Sequence, residues 1–362
     1  MLVSDSRLVL VSGYAPADQP GIQAFHFDTR TGRLTLVGAL AGVHNPSFLA
    51  LHPNGCWLYA TSETSAVGDG ASGGVWAASV GREPWAAQWL NGQDTRGNHP
   101  CHLAFDPTAR WLVVSNYTSG SVAVFPLEAD GSLGMMSDFV QHAGHSVNPQ
   151  RQEGPHAHSA TFAPGSPFVI VADLGLDALV VYRFDDVAGA LTEVGRAAAR
   201  PGAGPRHAAF HPNGRVLYVG NELDNTVAAY DFDPQLGALR ERQVVGSVPP
   251  DAPGSYVAHI QVAPDGGGVY VSNRGHDSLA VFDIDEAGGL TRRAIVPCGG
   301  RWPRHFAISP DGGWALVANQ HSDEVAILPL DKEGAPGERV GGAAAMGAAC
   351  VQFWAADPPS QR

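Results

Sequence analysis

Basic residues are scarce in this chain: 22 lysines and arginines stand against 35 aspartates and glutamates, a formal net charge of −13 over 362 residues. Nucleic acids and anionic membrane surfaces both require a basic face, so neither is an expected partner. Cysteine is also sparse. Cys56, Cys101, Cys298 and Cys350 lie far apart and form no C-x-x-C, which excludes a disulfide scaffold and a thiolate zinc site and leaves reduced thiols as the expectation. No run of residues approaches the ~18 apolar positions that a membrane span needs. The opening stretch MLVSDSRLVLVSGY has no basic segment, sustained apolar core or small-residue cleavage site, so a soluble cytoplasmic protein is expected. There is no Walker loop and no G-x-G-x-x-G leading a strand into a helix, so no nucleotide cofactor is expected.

Glycine (44) and proline (27) are abundant, and hydrophobic residues reach 44% while charged residues stop at 16%. That balance describes many short strands joined by tight turns, with enough apolar material for a large core. Six segments share one pattern: a short apolar strand, a proline-containing turn, a second apolar strand ending in Ser, Asn or Asp, then a third strand. They begin near His44, His99, Pro155, Pro205, Val257 and Pro303, and their turn prolines are Pro53, Pro107, Pro164, Pro212, Pro264 and Pro310. The proline spacings of 54, 57, 48, 52 and 46 residues fit propeller blades better than shorter solenoid repeats. HPNG, APDG and SPDG place Pro, Asn or Asp, and Gly as a tight hairpin turn requires.

Residues 8–40 supply three strands of a blade without its first strand, and CVQFWA from Cys350 supplies the missing one. The expected architecture is therefore all-β. It is a seven-bladed propeller of four-stranded antiparallel blades forming one domain over residues 1–362, its ring closed by pairing segment 8–40 with segment 348–355.

Superposing the repeats separates scaffold from site. Five residues before each turn proline stand Phe48, His102, Ser159, His207, His259 and His305, a repeated column that reads as scaffold bonded to a neighbouring blade. One position earlier the column is irregular: Ser47, Cys101, His158, Arg206, Ala258 and Arg304. Strand alternation points it away from the first column. A second irregular column follows the end of strand two: Glu63, Tyr117, Leu174, Glu222, Arg274 and Gln320, with Tyr14 in the split blade. Both irregular columns open onto one face near the axis, where a funnel lined by convergent polar groups is the expected ligand site.

His158 and Glu222 are candidates for general base chemistry, with the histidine or the glutamate as base. Arg206, Arg274 and Arg304 suit a carboxylate, a phosphate or a developing oxyanion. Arg304, Glu63, Gln320, Tyr117, Tyr14, His156 and Arg151 complete the expected substrate-binding set. The alternative for the arginines and Glu222 is a set of interblade salt bridges. Segment 134–154 exceeds usual turn lengths and reads as a flexible polar loop at the funnel mouth; in it, His142, His145 and Arg151 are the residues that would contact substrate. Among 15 histidines, His156 with His158 and His99 with His102 are the pairs that converge. No carboxylate partner follows them, so no metal is expected.

RQEGPHAHS, GPRHAAFHPNG, NELDNTVAAY, SNRGHDSLAVF and WPRHFAISPDG, in that order, resemble the seven-bladed propeller lactonases, a family that includes propeller-type 6-phosphogluconolactonases and carboxy-muconate cyclases. The resemblance runs from about Leu8 to Trp354. It implies a metal-independent sugar-lactone hydrolase with His158, Arg206, Glu222 and Arg274 as active-site residues. A small anionic lactone is the expected substrate, first among them a phosphorylated sugar lactone such as 6-phosphogluconolactone, and a monomer or weak homodimer is the expected state. His259 departs from the pattern, standing where the resemblance calls for an acidic residue. Hydrolysis of a different lactone, a cyclase reaction through the same groups, and a non-catalytic binding propeller are the alternatives.

Overall fold

A computed structural model describes residues 6–65, 72–82, 84–252 and 254–354. Among these, the strands assemble into seven separate four-stranded antiparallel sheets. Numbered from the split sheet, blade 1 consists of Ala348–Phe353, Ser6–Gly13, Ile22–Asp28 and Arg33–Leu40. Blades 2 to 7 follow in chain order, their first strands being Leu49–Leu51, Pro100–Phe105, Ala157–Phe162, Pro205–Phe210, Tyr256–Val262 and Pro303–Ile308.

The ring closes as the sequence predicts, with Val9 opposite Phe353 and Val11 opposite Val351. The closing strand ends at Phe353; the backbone N–H of Trp354 still donates to Leu8 at 2.8 Å, and residue 355 lies outside the described residues. Burial explains why closure is needed. Second strands such as Val216–Asn221 and Phe168–Asp173 are buried along their whole length, because both sheet faces pack on neighbouring blades. Outer strands such as Ala86–Asp94 alternate exposed and half-buried positions. The core is correspondingly divided into apolar layers between successive sheets, including one that joins blade 7 to blade 1 through Val9, Val11, Leu316 and Val351.

At the proline end, Gly55, Gly214, Gly266 and Gly312 donate backbone N–H groups back to the residue before each turn proline. All four hold positive φ, which glycine reaches at no steric cost. The other end of each hairpin is therefore the end at which the irregular columns meet.

Segment 134–154 differs from its expectation as a flexible loop. Asp138–Gln141 is the outer strand of blade 3, paired with residues 121–124. The residues after it are tied down by buried polar bonds, and Gln152 is fully buried.

Candidate active site

The first strands carry a repeated irregularity that decides the geometry of the hub. In blade 3, Pro100 pairs with Asn116 and His102 with Ser115, so Cys101 has no partner across the ladder. The same bulge singles out His158 in blade 4, Arg206 in blade 5 and Arg304 in blade 7. In blade 6 both Ala258 and His259 lie inside it. A bulge inserts one extra residue and re-aims its side chain. The expected opposition of the two adjacent columns is thereby corrected, since both turn toward the axis: the His158 and His207 rings lie 5.3 Å apart although they come from different columns.

Two layers result. The deeper one is the repeated column. The Phe48 ring packs on His102 at 4.4 Å, His102 on His207 at 5.2 Å, and His259 stacks on His305 at 3.7 Å. His102 and His305 accept weak backbone N–H contacts from neighbouring blades, at Ala160 (3.4 Å) and Val351 (3.5 Å). His207 and His259 instead face each other, Nδ1 to Nδ1, at 3.0 Å. Burial holds His102 and His305 down to about 3 and His207 and His259 well below the usual imidazole range, with Arg206 adding to the effect on each.

The layer above is charged. Glu222 is its centre: Arg274 reaches Oε2 at 2.8 Å, Arg206 Nε lies 3.1 Å from the same oxygen, and Arg151 donates to Oε1 at 2.6 Å. The Arg206 contact is an ion pair lacking hydrogen-bond alignment, which leaves its Nε without a hydrogen-bond partner. His158 Nε2 is 3.9 Å from Glu222 Oε2. Its other nitrogen faces the Cys101 thiol at 3.6 Å, and that thiol also donates to the His158 carbonyl at 3.3 Å. His156 stacks on Tyr117 at 4.6 Å and contacts the Tyr117 carbonyl through Nδ1, while the Tyr117 hydroxyl accepts from Arg151 at 3.2 Å.

Opposite this group, Glu63 accepts from Tyr14 at 2.7 Å and from the Ser47 hydroxyl. Arg304 pairs with Glu63 at 3.7 Å and lies over the Tyr14 ring. A small cavity between the two groups, with room for about one water molecule, touches Ser47, Glu63, Cys101, Arg206 and Arg304. The larger cavity, about 710 Å³ and lined by Pro264, Asp311 and Asp331 among others, lies among the proline turns, away from these charges.

Electrostatics follow from this enclosure. Burial alone would raise the Glu222 carboxyl, but Arg274 and Arg206, joined by His158 and Arg151, outweigh it and hold the group well below the usual carboxylate range. Burial pushes His158 well below its ordinary value, and Arg206 pushes the same way while Glu222 opposes. The result is a neutral imidazole beside an ionised carboxylate. Burial, with Arg274 and Arg304, lowers Arg206 to about 9, still charged at neutral pH.

Of the predicted residues, then, His158, Arg206, Glu222, Arg274, Arg151, Tyr117 and His156 form one group, and Tyr14, Glu63 and Arg304 a second across the hub. Gln320 is not drawn into either by a hydrogen bond; its Oε1 is buried without a partner. His142 and His145 do not contact the site: His142 is buried against Asp173 and Tyr182, and His145 is exposed. No group of three candidate metal ligands occurs among the described residues. Ser47 and Cys101 were missed as site residues although they stand in the irregular column. Trp302, under the Arg274 guanidinium at 5.6 Å, carried no sequence signal beyond its place before Pro303.

A family model described as "Lactonase, 7-bladed beta-propeller" matches residues 8–353. The chain belongs to that family. Membership in this lactonase family carries the reaction class, hydrolysis of a lactone's ester bond. The chain is 39% identical over 296 residues to the 6-phosphogluconolactonase of Bacillus subtilis, covering 81% of this chain and 82% of the relative. Among solved structures, the periplasmic gluconolactonase of Pseudomonas aeruginosa superposes with a TM-score of 0.90 at 28% identity, covering 98% of this chain and all of that one. A protein from Lactobacillus plantarum superposes with a TM-score of 0.89 at 31% identity, covering 96% and 99%. No helix among the described residues is long and apolar enough to cross a membrane.

Proposed function

We propose that this lactonase hydrolyses a phosphorylated sugar lactone, 6-phosphogluconolactone, without a cofactor. The charge balance of the hub carries the reading: four guanidiniums (Arg151, Arg206, Arg274, Arg304) surround two carboxylates (Glu63, Glu222). A protein of net charge −13 thus keeps a local surplus of two positive charges where its bulge-directed residues converge. A dianionic substrate offsets that surplus, whereas a neutral one leaves it buried and uncompensated.

In this reading His158 is the base. Its imidazole is neutral and can take a proton, while Glu222 is held as a carboxylate by the arginines that pair with it. The negative charge of a bound substrate offsets the field of Arg206 and Arg304 that, after burial, depresses His158, so the base strengthens when substrate arrives. Water gives a proton to His158 as its oxygen attacks the lactone carbonyl, and Arg206 and Arg274 stabilise the oxyanion. Collapse breaks the ring C–O bond, the leaving oxygen takes the proton back from His158, and the product carboxylic acid ionises. Glu222 stabilises the transient imidazolium.

The Bacillus subtilis relative supports the phosphorylated substrate, and four free cysteines fit a reducing, cytosolic setting. The Pseudomonas aeruginosa neighbour favours a second reading, hydrolysis of unphosphorylated gluconolactone. Acid release in weak buffer from the two lactones decides between them. A kcat/KM at least about tenfold higher for the phosphorylated lactone supports the proposal, and a preference for the unphosphorylated one overturns it.

A further inference from the structure

The most exposed arginine of the Glu222 group comes from outside the blade hairpins. Arg151, its side chain 35% exposed, lies within residues 142–156, and both ends of that segment are fastened to a single carboxylate. Asp173 Oδ2 meets His142 Nδ1 at 2.6 Å, while Asp173 Oδ1 accepts the backbone N–H of His156 at 2.7 Å and of Leu176 at 3.1 Å. His142 Nε2 faces the Tyr182 hydroxyl at 2.7 Å. With Nδ1 donating to the carboxylate, Nε2 accepts from the hydroxyl and each group is satisfied. The His142 side chain is 1% exposed and that of Asp173 is fully buried.

Comparison across blades shows that this arrangement is specific to blade 4. At the position of Asp173, blades 3, 5 and 6 have Asn116, Asn221 and Asn273, each donating locally to a hydroxyl five residues on, at Ser121, Thr226 and Ser278. Blade 4 has Ala178 in that place, so no local hydroxyl engages Asp173. Likewise Tyr230, which follows its blade's Asn as Tyr182 follows Asp173, has a buried hydroxyl with no partner. Further bonds hold the middle of the segment: Ser146 donates to Asp177 at 2.6 Å, and the buried Gln152 to the Leu174 carbonyl at 2.9 Å.

We propose that residues 142–156 form a strap latched by His142 between Asp173 and Tyr182, and that His142 is a positioning residue for Arg151, the cation that selects the substrate's anionic group. The inference rests on the anionic-lactone reading of the site. The strap holds Arg151 over Glu222 and Tyr117, and an incoming anion takes the guanidinium from the carboxylate without the strap having to move.

His142→Phe and Asp173→Asn test this, the second restoring the residue other blades use. Each is expected to raise KM for 6-phosphogluconolactone about tenfold, with kcat and the kinetics on gluconolactone unchanged within about twofold. Combined with Arg151→Gln, neither should add a further loss, since all act through one guanidinium. Trypsin gives a readout that needs no activity: cleavage after Arg151 should accelerate about tenfold in either variant at unchanged global thermal midpoint. Unchanged cleavage in both folded variants, or kinetic losses that add to those of Arg151→Gln, would overturn the latch. A wild-type protein inactive on both lactones would remove the anionic-lactone reading instead, and the trypsin result would still judge the latch.

Discussion

His207 and His259 meet Nδ1 to Nδ1 at 3.0 Å at the hub, an approach that two imidazolium rings could not make. With His102, His158 and His305 they form a buried set in which neutrality is a condition of packing.

Acid should therefore unlock the ring. The folded pKa of each of these histidines lies below its unfolded value, so the unfolded chain binds more protons beneath about pH 6.5. Stability is fully present above that pH and is lost as pH falls toward about 3, the value for His102 and His305. The thermal midpoint should be flat from pH 8 to 7 and fall progressively below 6.5. His305→Phe, which repeats the Phe48 solution in another blade, should flatten the decline; an identical slope in that variant counts against the imidazoles as its source.

Glu222→Gln keeps the shape of the side chain and removes its charge. Arg206 and Arg274 would then be buried with no carboxylate between them, a loss on the order of 3 kcal/mol. We expect kcat/KM to drop at least a hundredfold and the thermal midpoint to fall by several degrees. Retention of wild-type midpoint by calorimetry would mean that the arginines do not depend on this residue.

The pH dependence of hydrolysis separates the two candidate bases. With both His158 and Glu222 held below their ordinary ranges in the free protein, kcat/KM corrected for spontaneous hydrolysis should be level from pH 8 to 6.5 and decline only below it. His158→Asn should abolish the reaction while leaving the fold. An acidic limb that persists with residual activity in that variant would transfer the role to another group.

Thiol chemistry should distinguish the four cysteines. Cys56 is exposed, whereas Cys101, Cys298 and Cys350 are buried; burial also pushes the Cys298 and Cys350 thiols up to about 12. An aromatic disulfide reagent should titrate one thiol rapidly in the native protein and four in denaturant. Rapid native labelling of Cys101 would show that the contact beside His158 opens to solvent.

Much of the fold is local information. Pro53-Asn54-Gly55 and Pro264-Asp265-Gly266 mark hairpin turns because proline fixes φ and glycine supplies the positive φ that closes them. Repetition of such turns at blade spacing specifies the ring, and the incomplete blades at the two ends specify how it closes. The irregular columns named His158, Arg206, Glu222 and Arg274 because repeats that share a scaffold expose the residues that do not.

The sequence by itself thus determined the blade count, the closure and most of the charged residues that meet at the hub. Only the tertiary structure decided how they meet. The bulges that turn Cys101, His158, Arg206 and Arg304 toward the axis depend on register against a partner strand, which strict two-residue alternation cannot anticipate. The choice of charged partners does too: Arg151 reaches Glu222 across 71 residues because both ends of its strap are tied to Asp173. Protonation was settled last, since desolvation and the field of neighbouring guanidiniums arise only when distant parts of the chain enclose one another.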